Sequence, residues 1–380
     1  MCQTLRAVCS KIDREVPDPR RTSHGHILHK LSTIIVLGLL ATICGCRSYT
    51  RIEFFGRQVR NWLARHIDLS NGIPDSDTIR RVFERVDPQK LSKCITDFVC
   101  ALVQMSKEEK KGISFDGKTI RGSASDDHKP YHILSAYCQN NHIVLGDVCL
   151  ADKCNEITSF HDLVKIVDIE GAVVTGDAMF CNRKIAGKIK EKGGDYVLCV
   201  KENQPSLLDE MQSHMESADN CQECTTTDKG HGRIEVREYK MSTNIDSYEN
   251  RGDWPKLSAF CQITSTVTDA KTGETVVSKR FYITSLIDVK EFSKFSRVHW
   301  SIENNLHWNL DNCFKEDACK VKKGNAPINL NIIRKASLFF VLTAKNICPV
   351  HGITKPLIMD MCKGSTFTLG KVLDRVPFLN

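Results

Sequence analysis

The longest apolar run, Leu31 to Cys46, has no regularly spaced polar face and predicts a buried helix over His26–Ile43. At about 16 residues it is shorter than the roughly 20 that a membrane span needs. It also lies behind a polar leader too long for a secretory signal. The expectation is a cytoplasmic protein with no membrane segment. A second helix, Arg51–Ile67, sets Ile52, Phe55, Val59, Trp62 and Leu63 on one face at helical spacing. Asn71-Gly72-Ile73-Pro74 then turns the chain, and Asp75 or Ser76 caps a third helix to about Val86. Ile79, Val82 and Phe83 point inward on it, while Arg80, Arg81 and Arg85 point outward. Three short helices with arginines on the last fit either a helix-turn-helix reader or a packing domain with a solvated basic face.

From residue 111 the period shortens to that of strands. Ile113–Ile120, His132–Cys138 and His142–Leu150 read as strands, with Asn140-Asn141 turning the last two into a hairpin. Helix Glu156–Val167, strand Gly171–Gly176, helix Arg183–Lys192, strand Tyr196–Val200 and helix Pro205–Glu216 follow. Three meandering strands followed by alternating helices and strands are the order of an α/β RNase H-like core. Residues 217–280 break that rhythm as a β-rich insertion, with strands at Gly232–Met241, Ala259–Thr266 and Thr275–Ile283. A long helix, Phe292–Lys315, and an apolar-faced helix, Ile328–Asn346, complete the pattern. The expected domains are an all-helical N-terminal one at 1–105, the core at 106–346 and a C-terminal tail at 347–380.

Composition adds little to the fold but changes the view of partners. The chain has 380 residues, 41% hydrophobic and 26% charged, which excludes collagen-like and largely disordered proteins. Its net charge of +7 is uneven. Residues 1–110 carry 18 Lys/Arg against 12 Asp/Glu, and residues 315–345 carry seven against two. Basic ends around a near-neutral middle fit a polyanion-binding protein with an acidic working site. The 18 cysteines are scattered singly, as small buried hydrophobes in a reducing compartment would be. Cys221 and Cys224, with His214 and His231 near, lack the second ligand pair that a structural zinc site requires.

Three acids stand out. Asp116 interrupts an apolar strand and is followed by Gly117, which lets a ligand approach the backbone. Asp177 follows Ala172-Val173-Val174-Thr175-Gly176, at the carboxyl end of a buried-type strand, where open α/β sheets hold their sites. Glu303 lies in His299-Trp300-Ser301-Ile302-Glu303-Asn304-Asn305-Leu306-His307-Trp308, where 299, 303, 306 and 307 share a helical face. Three carboxylates from separate elements suit two Mg²⁺ ions about 3.5–4 Å apart, the arrangement that activates water or a 3′-hydroxyl in phosphodiester displacement. Imidazole is softer than Mg²⁺ prefers, so His299 and His307 suit contact with DNA or orientation of Glu303.

These motifs together resemble an insertion-sequence transposase of the DDE superfamily, in the branch of the H-repeat-associated proteins and ISAs-type elements. Asp116-Gly117-Lys118-Thr119-Ile120-Arg121-Gly122-Ser123 resembles the first-aspartate motif, Gly176-Asp177-Ala178-Met179 the second, and the run 299–308 the third-acid motif. Lys153-Cys154-Asn155-Glu156-Ile157, Lys201-Glu202-Asn203-Gln204-Pro205 and His231-Gly232-Arg233-Ile234-Glu235 are similar to further landmarks. Thr42-Ile43-Cys44-Gly45 and the run 71–78 resemble the associated helical domain. The resemblance implies an RNase H-like core with Asp116, Asp177 and Glu303 as catalytic and metal-binding triad, using two Mg²⁺ ions with Mn²⁺ as substitute. It further implies cleavage at element ends, strand transfer into target DNA, a homodimer in the synaptic complex and a place at the bacterial nucleoid. Of the wider Tyr-(2)-Arg-(3)-Glu-(6)-Lys pattern only the glutamate fits; Ser296, His299 and Leu310 hold the other places, with His299 or Arg297 available for the arginine's work. Glu202 stands where glycine is common.

Charge and placement nominate DNA contacts: Lys118 and Arg121 beside the first acid, Lys201, Asn203 and Gln204 at a strand end, and Arg233 and Arg237 on the insertion. Arg297, His299 and His307 on the acid-bearing helix, and Lys322 and Lys323 beyond it, complete the set. Besides the transposase reading, the sequence admits an inactive or domesticated DNA-binding protein with the same fold, and a nuclease that cuts without joining strands.

Overall fold

The computed structural model describes residues 3–20, 27–103, 110–126, 128–150, 156–230 and 232–376. Six helices come first: α1 Gln3–Glu15, α2 Leu31–Ile43, α3 Tyr49–Gln58, α4 Arg60–Leu63, α5 Ser76–Arg85 and α6 Pro88–Leu102. Strands β1 Gly112–Thr119, β2 His132–Cys138 and β3 Ile143–Leu150 form an antiparallel meander. Helix α7 Glu156–Ile166, strand β4 Val173–Gly176, helix α8 Arg183–Glu191, strand β5 Asp195–Val200 and helix α9 Pro205–Ser217 follow. Next are β6 Gln222–Gly230, β7 Arg233–Ser242, β8 Ala259–Asp269 and β9 Thr275–Thr284. Helices α10 Val289–His299, α11 Trp308–Asn312, α12 Ala326–Ile347, α13 Lys355–Gly364 and α14 Thr366–Asp374 complete the described chain.

The nine strands among the described residues join one mixed sheet in the order β3-β2-β1-β4-β5-β9-β8-β7-β6. Strands β1, β4 and β5 run parallel, and β9 pairs antiparallel with β5 through Val200 and Phe281. The insertion therefore extends the sheet edge rather than standing apart. One face of the central strands is covered by α7, α8 and α9, through Phe160, Leu163, Ile185, Ile189 and Met211. On the other side α10 packs Phe292 and Phe295 against Val173, Val197 and Tyr282.

The N-terminal helices share a core with the C-terminal ones. Every residue of α2 is buried, as a helix that is apolar all round requires. It is enclosed by α1, α3 and α12, and Ile79, Val82 and Phe83 of α5 join the same core. Asn329 of α12 donates from Nδ2 to the carbonyls of Phe83 and Val86 at 2.8 and 2.9 Å, tying α12 to the end of α5. Asp75 caps α5 through the Thr78 N–H at 2.7 Å, as predicted. Arg81 and Arg85 face outward, whereas Arg80 is paired with Asp77 and Glu84.

Several elements differ from the sequence expectation. The polar leader holds α1, whose Leu5, Val8 and Ile12 are buried. The helix expected at 51–67 is divided at Val59, and its Val59 and Trp62 are half-buried. Helix α6 and strand β6 are additional, and residues beyond 347 form α13 and α14 instead of a tail, burying Ile358, Cys362, Leu369 and Val372. The helix expected at 292–315 is broken by a π-helical segment, Ile302–His307. His26, His231 and Lys153-Cys154-Asn155 lie outside the described residues, and with them the first residues of the landmarks at 153–157 and 231–235. The described cysteines are free thiols. Cys221 and Cys224 donate to separate carbonyls, of Ala218 and Val289, and no three His, Cys, Asp or Glu among the described residues gather to hold a metal. None of the described helices is long and apolar enough to cross a membrane.

Candidate active site

Parallel pairing of β1 with β4 sets Phe115 opposite Gly176. One residue further along are Asp116, within β1, and Asp177, just past the carboxyl end of β4, so the register places the two acids side by side on neighbouring strands about 4.8 Å apart. Asp116 accepts the Gly117 N–H on Oδ1 at 2.9 Å, and its Oδ2 lies 3.3 Å from His307 Nδ1. Asp177 is exposed where β4 ends, and Lys201 Nζ, at the end of β5, donates to its Oδ1 at 3.0 Å. Burial raises the Asp177 carboxyl, but the Lys201 hydrogen bond, the Ala178 N–H and the Lys201 charge outweigh it and leave the group below the usual range.

Glu303 projects from the π-helical segment, which packs on β1. The Trp308 N–H reaches back to the Glu303 carbonyl, the five-residue bond that defines the π turn. Such single turns often mark functional sites. Here the expected common face of 299, 303, 306 and 307 separates: Leu306 enters the core, Glu303 stays exposed and His307 turns to Asp116. Although Glu303 as a whole is exposed, its carboxyl is partly desolvated by the atoms packed around it; this first, then the negative charges of Asp116 and Asp177, pushes it up despite His307 and Lys201. Glu303 therefore senses the charge of both aspartates.

His299 is held from beneath by a polar network that sequence reasoning did not find. Its Nδ1 lies 2.9 Å from Thr175 Oγ1, and Thr175 is 3.0 Å from Ser114 Oγ. The buried Gln139 amide nitrogen donates to Ser114 and, at 3.2 Å, to Thr175. Burial lowers the His299 imidazole below its ordinary value, against the pull of Asp116 and Asp177. The only trace in the sequence is a serine and a threonine facing each other in otherwise apolar strands.

The nominated cations and amides have different fates. Lys118 is nearly buried, with Nζ 2.8 Å from Asp311, 3.7 Å from Asp317 and 3.9 Å from Glu316, so it neutralises an acidic cluster rather than facing solvent. Arg237 is buried between Asp228 and Glu235. Asn203 donates to the Ala178 carbonyl at 2.7 Å and Gln204 to that of Cys181 at 3.0 Å, so both fasten the loop after Asp177. Arg121, Arg233, Arg297, Lys322 and Lys323 are exposed, with Arg121 near Asp317, Arg297 near Asp228 and Lys323 near Glu84.

Comparison with known proteins bears on the whole chain. The profile described as "Transposase DDE domain" matches residues 107–340, and the one described as "DDE_Tnp_1-associated" matches residues 10–99. The chain belongs to the DDE transposase family. Among its relatives is "Putative transposase YncI" of Escherichia coli O157:H7, 35% identical over 342 residues that cover 87% of this chain and 86% of the relative. "H repeat-associated putative transposase YhhI" of Escherichia coli is 33% identical over 323 residues, 82% of this chain and 84% of the relative. A protein of Xanthobacter autotrophicus described as uncharacterized, in the dhlA 3' region, is 33% identical over 277 residues, 71% of this chain and 92% of its own. In this transposase-family chain the acids at 116, 177 and 303 all fall within the matched domain.

Proposed function

We propose that the chain is a DNA transposase that cuts at element ends and joins them to target DNA, with Asp116, Asp177 and Glu303 as the catalytic and metal-binding triad of an RNase H-like core. The observation that carries this reading is the Phe115–Gly176 register, which sets Asp116 and Asp177 side by side on neighbouring strands, with Glu303 feeling the charge of both. The strand order of the meander and its two parallel neighbours supports the RNase H-like assignment.

In its chemistry the donor set suits a divalent cation, although among the described residues the three side chains do not gather closely enough to hold one as they stand. The set consists of hard carboxylate oxygens, and Glu303, raised first by burial and then by the charge of Asp116, is a group whose ionised form a cation would favour. Two Mg²⁺ ions held by these residues, or Mn²⁺ in their place, would polarise the phosphoryl group and lower the pKa of an attacking water or 3′-hydroxyl. The protein's own part is placement. His307 holds Asp116 in position, Lys201 neutralises Asp177 while no metal is bound, Asn203 and Gln204 fix the loop that follows Asp177, and the Thr175 network orients His299. Exposed Arg121, Arg233, Arg297, Lys322 and Lys323 would bind backbone phosphates, and joining two ends calls for a homodimer on DNA.

The test is cleavage of a supercoiled plasmid carrying candidate element ends by the native protein and by Asp116→Ala, Asp177→Ala and Glu303→Ala. Cutting at the ends that needs Mg²⁺ or Mn²⁺, lost in each variant while DNA binding survives, is the expected result. Binding without cutting by the native protein would make it a DNA-binding protein on a transposase fold.

A further inference from the structure

We infer that Lys201 and Arg280 form a binding site for a backbone phosphodiester of DNA, which Lys201 joins by leaving Asp177 when that carboxylate takes a divalent cation. The inference rests on the proposed role of Asp177 as a metal ligand.

The β5–β9 ladder ends at Val200 and Phe281. One step beyond that pair come Lys201 and Arg280, two cations on neighbouring strands, and the Arg280 charge is felt at Lys201. Like charges so placed repel, and a bound anion between them removes the penalty. Arg280 is exposed, and among the described residues no carboxylate pairs with it. Its guanidinium lies 4.7 Å from the Trp300 ring centroid, so the planar fork is held by a ring on the segment that joins His299 to Glu303. Such a fork matches two phosphate oxygens, whereas lysine offers a compact charge on a flexible stem.

Lys201 is the movable member. Its side chain is 49% exposed and its partner Asp177 is 52% exposed, so the pair can open into solvent. A cation arriving at Asp177 competes directly with the ammonium and then repels it. The released Lys201 can turn to the anion that Arg280 already faces. Metal and DNA thereby favour each other: metal frees the lysine for phosphate, and phosphate draws the lysine off the carboxylate. Without DNA, Lys201 keeps Asp177 neutralised and holds metal affinity down.

The test begins with calorimetric titration of Mn²⁺ alone into the full chain and into K201Q, K201M and D177N, each verified as folded by circular dichroism. Both Lys201 variants should bind Mn²⁺ about two- to fivefold more tightly than the native chain, the size expected for breaking an exposed ion pair. D177N should weaken it. Equal or weaker binding by K201Q and K201M, with D177N still impaired, overturns the competition while leaving Asp177 a metal ligand. Unchanged binding by D177N overturns both readings. The second measurement is affinity for a random-sequence DNA duplex against salt concentration. Loss of one phosphate contact in R280Q should reduce the slope by about one, and an unchanged slope removes Arg280 from the site.

Discussion

The side-chain amide of Gln139 occupies the space that a Cβ on residue 112 would fill, so β1 can carry only glycine there while Gln139 reaches inward. This access lets a residue of the β2–β3 turn touch Ser114 and Thr175 beneath the acidic site. Gly112→Ala is expected to destabilise the protein by about 1–3 kcal/mol through overpacking. Gln139→Ala in the same chain should recover part of that loss, because the clash and the amide disappear together. Urea unfolding of the two single variants and the double variant measures the coupling. Additive losses would show that the two sites do not interact.

A second expectation concerns a buried charge. Glu316 is fully buried, with Oε1 3.1 Å from Arg334 Nη1 and 3.0 Å from Asn331 Nδ2. Arg334→Met leaves that carboxylate with only Asn331 and the more distant Lys118, and should cost about 3–5 kcal/mol of folding stability. The Glu316→Gln/Arg334→Met pair removes both charges and should be more stable than Arg334→Met alone. Denaturant midpoints at matched slopes decide it.

Local pattern accounts for the elements that were legible in sequence, and contacts between distant residues account for the rest. Strands β1, β2, β4 and β5 announce themselves because apolar and β-branched runs end in glycine or asparagine turns. Asp116 is legible as an acid interrupting such a run, and Asp177 as an acid at the end of one. Helix α1 was not, since Leu5, Val8 and Ile12 are sparse and gain a core only against α2, α6 and α14. Strand β6 is polar and exposed almost throughout, and takes its form from pairing with β7. The π turn at Ile302–His307 follows neither proline nor glycine and depends on how the segment meets β1. Charge and placement point to Lys118 and Arg237 as DNA contacts, yet Asp311, remote in sequence, and Asp228, on the neighbouring strand β6, hold them. Nothing in the local pattern marks Arg280, whose meaning lies in Trp300 and in its place beside Lys201.

The buried His299 imidazole should make stability depend on pH. Its native pKa is lowered by burial from the ordinary 6.5. Below that value the unfolded chain binds a proton that the native state refuses, so stability falls as pH drops through 6.5, until the lowered native pKa is reached. His299→Gln keeps a neutral polar side chain near Thr175 and removes the proton. Its melting temperature should therefore fall less than that of the native protein on acidification from neutral pH. Parallel curves for the two proteins would mean that His299 titrates normally.

Glu303 gives the opposite sign. Its native pKa lies above the ordinary 4.5 because of burial and then the charge of Asp116. As pH rises past 4.5 the unfolded chain gives up its proton before the native chain does, so native stability declines until the raised pKa is passed. Glu303→Gln never ionises. It should match the native protein in stability below that window and melt at a higher temperature at neutral pH. Asp116→Asn should shift melting the same way, since it removes the charge that Glu303 opposes. Mg²⁺ separates this from ordinary surface repulsion: it should raise the melting temperature of the native protein at neutral pH and do so less for either variant, because each lacks a charge that the ion would neutralise. Equal Mg²⁺ responses in all three proteins would show that these acids do not share one ion-binding site.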